Sequence, residues 1–181
     1  MAQNGASSDE TAGLTWVSTL GGPHIVIPES ACQYWQGSPR DYPDNEGDYG
    51  RACEVDGYID LIEVSPVEAL VFGDHPGLAT FLPRQRVLVR WIAADSTAAL
   101  VEAASNAVES GKVAWDDELT WDVSEPLILF DSVYGHEYLQ GEVHLRINLP
   151  MGRHVVRAGY HEAPDAYMIL AQFTPAEAQI E

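Results

Sequence analysis

The feature that most restricts the fold is a repeated local pattern. From Tyr58 onward, short runs with apolar residues at every second position are cut off by glycine, proline or Asp-Gly signals. Alternation with period two marks a strand with one face in a core and the other in water, and runs bounded this closely predict antiparallel sheet. Strands are predicted over residues 58–64, 69–73, 86–93, 119–123, 127–131, 142–149, 154–160 and 167–173, all rich in Val, Ile, Leu and aromatics. Pro66, Pro83, Pro126 and Pro164 bound several of them. Pro150-Met151-Gly152 reads as the turn of a hairpin joining 142–149 to 154–160. Two earlier extended segments, 14–19 and 24–28, flank Gly21-Gly22-Pro23 and predict a further hairpin.

One segment breaks the period. Residues 96–110 place Leu100, Val101, Ala104, Ala107 and Val108 at helical spacing, with Asp95 or Ser96 as cap and Gly111 as stop. Pro28-Glu29-Ser30 opens a shorter helical stretch in which Ala31, Tyr34 and Trp35 share a face, and Asp48 caps a helical turn over 49–54. Residues 1–13 have the polar composition of a leader and 176–181 that of a tail, which leaves 14–175 as the domain. A chain of 181 residues is one domain's worth, and at that size roughly 70% of the unfolded surface is buried on folding. The expected architecture is a single α+β domain, mostly antiparallel β folded as a sandwich or open barrel, with one main packed helix.

A core of that size needs neither a disulfide nor a metal. Cys32 and Cys53 therefore read as reduced, buried thiols. No run approaches the roughly 18 apolar residues of a membrane span, and the N-terminus has no basic region followed by an apolar one. The chain is expected in the cytoplasm.

The formal net charge is −19, from 28 acidic and nine basic residues. Such a field opposes binding to nucleic acid and to anionic lipid, and it attracts a basic protein. The acids are spread along the chain, with one dense stretch after Arg40. There Asp41, Asp44, Glu46 and Asp48 stand beside Tyr42 and Tyr49, with no aliphatic residue to hold them in a core. A surface loop of this composition suits a basic partner, because carboxylates accept paired arginine hydrogen bonds while tyrosine rings supply contact area at low rotamer cost. Asp74, with Asp116, Asp117 and Glu118, forms a second acidic patch.

The chemical motifs are sparse. Histidines at 24, 75, 136, 144, 154 and 161 show no metal-ligand spacing, and no nucleophile elbow, phosphate loop or dinucleotide fingerprint occurs. Residues 44–48 begin like a calcium loop, but Tyr49 stands where the sharp-turn glycine belongs and Val55 where the bidentate Glu would be. No cofactor is expected.

Several short motifs follow one another along the chain. They are Trp16-Val17, Gly21-Gly22-Pro23, Ile25-Val26-Ile27-Pro28-Glu29-Ser30 and Trp35; then Asp48-Tyr49-Gly50-Arg51-Ala52-Cys53, Asp56-Gly57-Tyr58 and Ala69-Leu70-Val71-Phe72-Gly73-Asp74. Val89-Arg90-Trp91, Leu129-Phe130-Asp131-Ser132, Gly152-Arg153 and Val156-Arg157 complete them. Their order resembles the immunity protein 21 family of bacterial polymorphic toxin systems. The resemblance implies a mostly β protein without catalytic residues that binds a cognate toxin and protects the producing cell. Charge adds a mechanism: a toxin that acts on nucleic acid is basic, and an acidic inhibitor is steered to its active site or substrate groove.

Three rival readings have their own residues. A small metal-dependent or hydrolytic enzyme would use Asp74 with His75, or the strand histidines. A small-ligand-binding β-sandwich would line a groove with Trp16, Trp35 or Trp115. Adaptation to high salt would spread acids evenly over the surface.

Overall fold

The computed structural model describes residues 13–38, 47–73 and 76–176. Eleven strands are present among them: β1 (Val17–Ser18), β2 (His24–Pro28), β3 (Ile59–Val64), β4 (Val67–Phe72), β5 (Leu78–Leu82), β6 (Val87–Ala94), β7 (Asp117–Val123), β8 (Leu127–Asp131), β9 (Leu145–Ile147), β10 (Gly152–Ala163) and β11 (Ala166–Pro175). The helices are α1 (Asp48–Cys53), α2 (Thr97–Glu109), α3 (His136–Leu139) and a 3-10 helix over Glu29–Tyr34. The strands form two antiparallel sheets. One has the order β1-β5-β6-β11-β10-β7 and the other β3-β4-β2-β8-β9.

The inward faces of the two sheets meet in a core to which Leu88, Trp121, Val156, Ile169 and Phe173 come from the six-stranded sheet, and Val26, Leu70, Phe72, Leu127 and Leu129 from the five-stranded one. The mostly antiparallel α+β sandwich expected from alternation is present. Both outer faces are covered as well. Helix α2 lays Leu100, Val101, Ala104 and Ala107 on Val87, Val89, Met168 and Leu170. The 3-10 helix, α1 and α3 cover Ile25, Ile27, Val71 and Phe130 on the other side. Double coverage explains why β2 is apolar at successive positions, for Val26 faces inward while Ile25 and Ile27 face outward.

Helix α2 begins and ends where the sequence places it. Ser96 accepts a hydrogen bond from the Ala99 N–H at 3.1 Å, and Gly111 stops the helix at φ +65°.

The structure corrects both predicted hairpins. β1 pairs with β5 in one sheet, whereas β2 pairs with β4 and β8 in the other. The Gly21-Gly22-Pro23 segment therefore carries the chain between sheets. Likewise β9 pairs with β8 while β10 pairs with β11 and β7, so residues 148–151 also cross over and His144 does not face His154. β9 keeps only three residues of the predicted 142–149 strand. β5 was not among the predicted strands. Both thiols are free, as expected, but Cys53 is exposed rather than buried. Tyr34 also departs from its predicted face: it is 51% exposed while Ala31 and Trp35 are buried.

Candidate functional site

The base of the acidic segment is built on the covered outer face of the five-stranded sheet. Trp35, buried to 1% exposure, sets its ring edge-on to Phe130 at 6.4 Å and donates from Nε1 to the Ser132 carbonyl at 3.1 Å. This large anchor at the end of the 3-10 helix fixes where the chain leaves the sheet. From there Gln36 to Ser38 runs beside Val133 to His136, with the His136 N–H donating to Trp35 O and the Ser38 N–H to Val133 O, both at 2.9 Å. The two backbones touch at Gly37 and Gly135. Gly37 has φ +66°, and a Cβ there would strike the backbone of Gly135 and Val133.

The chain returns at Gly47 and is tied to the same place. Asp48 Oδ2 accepts the Gln36 N–H at 2.7 Å, the Tyr49 N–H donates to Gly37 O at 3.2 Å, and Asp48 Oδ1 accepts from Arg51 Nη2 at 2.6 Å. Arg51 Nη1 reaches on to the Glu63 carbonyl at 2.8 Å. Asp48 therefore opens α1 without capping it through its own side chain. Its carboxylate instead closes the neck of the segment between Ser38 and Gly47. A cleft of about 450 Å³ opens beside this neck, lined by Gln33, Trp35, Ser38, Gly47, His136 and Glu137 among others.

Tyr49 is equally internal. A Cβ at Gly22 would lie 2.6 Å from its ring. The residue thus latches α1 to the crossover between β1 and β2. Burial pushes the Cys32 thiol, on the far side of the same layer, up to about 12.

Of the remaining residues singled out in the sequence, Asp41, Tyr42, Asp44, Glu46, Asp74 and His75 lie outside the described residues. Asp117 Oδ2 accepts the Tyr58 N–H at 2.6 Å and so ties the start of β7 to the turn before β3. Glu118 pairs with Arg157 across β7 and β10 at 2.7 Å, and Asp116 is exposed with its N–H on Ala158 O. Asp122 with Arg153, Glu29 with Arg146 and Glu109 with Arg84 are further surface ion pairs. With so many arginines engaged, the excess of carboxylates sets the sign of the surface field.

Among the described residues the histidines form no metal-holding group, since no three metal-ligating side chains come together. Trp35 belongs to one outer layer and Trp16 and Trp115 to the other.

A buried polar contact escaped the sequence reading. Arg90, on β6 and 0% exposed, donates from Nη2 to His24 Nδ1 at 2.8 Å and to the carbonyl of Phe72, and from Nη1 to that of Gly73. His24 Nε2 meets the Val17 carbonyl at 2.9 Å, and a carbonyl only accepts, so Nε2 carries the proton and Nδ1 offers a lone pair to Arg90. Burial, and then the Arg90 charge, hold the His24 imidazolium down to about 3 against the opposing pull of the Val17 carbonyl. The signal was present as a cation at an inward position of an apolar, alternating strand.

A family model described as Immunity protein 21 matches residues 15–166. No curated protein and no solved structure matches the chain.

Proposed function

Because the chain belongs to the Immunity protein 21 family, we propose that it binds a cognate bacterial toxin and neutralises it by covering the toxin's active site or substrate groove. The observation that carries this reading is the family match across most of the chain, joined to a net charge of −19. The partner is a basic protein, and the acidic segment is the principal contact. Asp41, Tyr42, Asp44 and Glu46 meet the toxin, while Asp48 and Tyr49 hold the neck at Gln36 and Gly37. A preset neck lowers the ordering cost of binding, and the field raises the encounter rate. No helix among the described residues is long and apolar enough to cross a membrane. The protein acts in the cytoplasm and transforms no substrate.

The test is co-expression with the protein encoded immediately upstream. Restored growth supports the reading, and unrelieved toxicity with soluble inhibitor present overturns it. Association measured against salt provides a second readout: the on-rate falls with ionic strength more than the off-rate rises.

A further inference from the structure

A second contact surface stands at one end of the sandwich, and its assignment rests on the toxin-binding reading. β10 continues past Ala158, its last pairing with β7, as far as Ala163, with β11 beside it. Directly paired residues of an antiparallel ladder, and residues two apart in one strand, share a face. The pairs Tyr160↔Ile169 and Glu162↔Tyr167 therefore put Tyr160, Glu162 and Tyr167 on the same side as Ile169, which lies in the core between the sheets. By the same argument Ala158↔Asp117 places Asp117 on that side.

The opposite sheet reaches this end through Tyr58, which packs on the same core and gives its N–H to Asp117. Glu162, Tyr167 and Tyr58 all lie close enough to Tyr160 to push its phenol up electrostatically, after the larger effect of burial. Three phenols drawn from distant parts of the chain thus gather at one end, with the Glu162 carboxylate beside Tyr160 and across the ladder from Tyr167. They are not sealed in. Tyr167 is 42% exposed, Tyr58 and Tyr160 are half-buried, and Glu162 is exposed. A register shift against β6 falls between Tyr167 and Met168, the kind of irregularity that re-aims side chains at the rim of a sheet.

Phenol faces beside carboxylates fit a guanidinium, which stacks on the ring while its N–H groups reach the acid. The net charge of −19 disfavours a second copy of this chain or an anionic polymer as occupant. We infer that this end, formed by Tyr58, Tyr160 and Tyr167 with Glu162, is a docking surface for arginine side chains of the toxin.

The test titrates the purified chain with the toxin domain encoded immediately upstream and compares Tyr167→Ala, Tyr167→Phe and Glu162→Gln. Tyr167→Ala and Glu162→Gln each raise Kd about tenfold or more, and Tyr167→Phe, which keeps the ring face, stays within about threefold. Wild-type affinity in both Tyr167→Ala and Glu162→Gln overturns this surface and leaves toxin binding intact. Failure of the unaltered chain to bind overturns the functional reading and this surface with it. Should Tyr167→Ala fold poorly in a thermal melt, Glu162→Gln on its own decides.

Discussion

Arg90 on β6 and His24 on β2 meet at 2.8 Å in the middle of the sandwich, so a guanidinium from one sheet is held by a neutral imidazole of the other. An arginine fully out of water is costly unless its donors are satisfied, and here the imidazole and the carbonyls of Phe72 and Gly73 serve the two Nη groups. The arrangement holds only while His24 stays uncharged, because an imidazolium would place two cations in contact.

That condition predicts an acid-sensitive fold. His24 is depressed to about 3 in the folded state and returns to about 6.5 on unfolding. Between those values the unfolded chain binds the extra proton, so stability rises with pH, is full above the unfolded value, and is lost as pH falls. His24 contributes a slope of up to about 1.4 kcal/mol per pH unit in that window. Urea unfolding of the wild type and of His24→Gln at pH 7 and pH 4.5 measures it. A wild-type stability no more pH-dependent than that of the variant contradicts the assignment.

Gly37→Ala should loosen the neck of the acidic segment. The added Cβ meets the backbone of Gly135 and Val133 at a φ that alanine disfavours, for an expected loss of about 2 kcal/mol or more. Hydrogen exchange at the Tyr49 and Ser38 amides reads the change locally, and unchanged protection there counts against the account.

Reversing charge in the acidic segment separates contact from folding. Asp41→Lys combined with Asp44→Lys should slow toxin association by about tenfold at low salt, leave dissociation nearly unchanged, and leave the melting temperature close to that of the wild type. Association as fast as wild type, with the same salt dependence, removes the segment from the interface.

Asp117 and Glu118 are neighbours in sequence with different duties. Asp117→Asn removes a charged acceptor from the Tyr58 N–H and should cost about 1–2 kcal/mol. Glu118→Gln breaks only an exposed pair with Arg157 and should cost less than about 1 kcal/mol. Chemical denaturation of the two variants side by side shows whether the order holds.

The two thiols should also differ. Cys53 is exposed and Cys32 is buried with its thiol pushed up to about 12, so an alkylating reagent at pH 8 should modify Cys53 in the folded protein and reach Cys32 only after unfolding. Equal rates in native buffer refute this.

Much of the fold was legible in the chain itself. Short apolar runs bounded by turn residues in 58–64, 127–131 and 167–173 and period 3.6 in 96–110 are local signals, and β3, β8, β11 and α2 follow them. The cap at Ser96 and the stop at Gly111 are local in the same sense. A turn signal, however, says that the chain bends and not which sheet it joins. The sheet that received β1 or β9 was decided by contacts with β5 and β8, far away in sequence. The same limit applies to the acids. Their number and sign were fixed by composition, but whether Asp48 and Asp117 face a partner or hold backbone N–H groups of Gln36 and Tyr58 depended on which segments folding brought to them. The tyrosine-lined end had no sequence signature, since Tyr58, Tyr160 and Tyr167 become neighbours only when β10, β11 and the start of β3 are stacked.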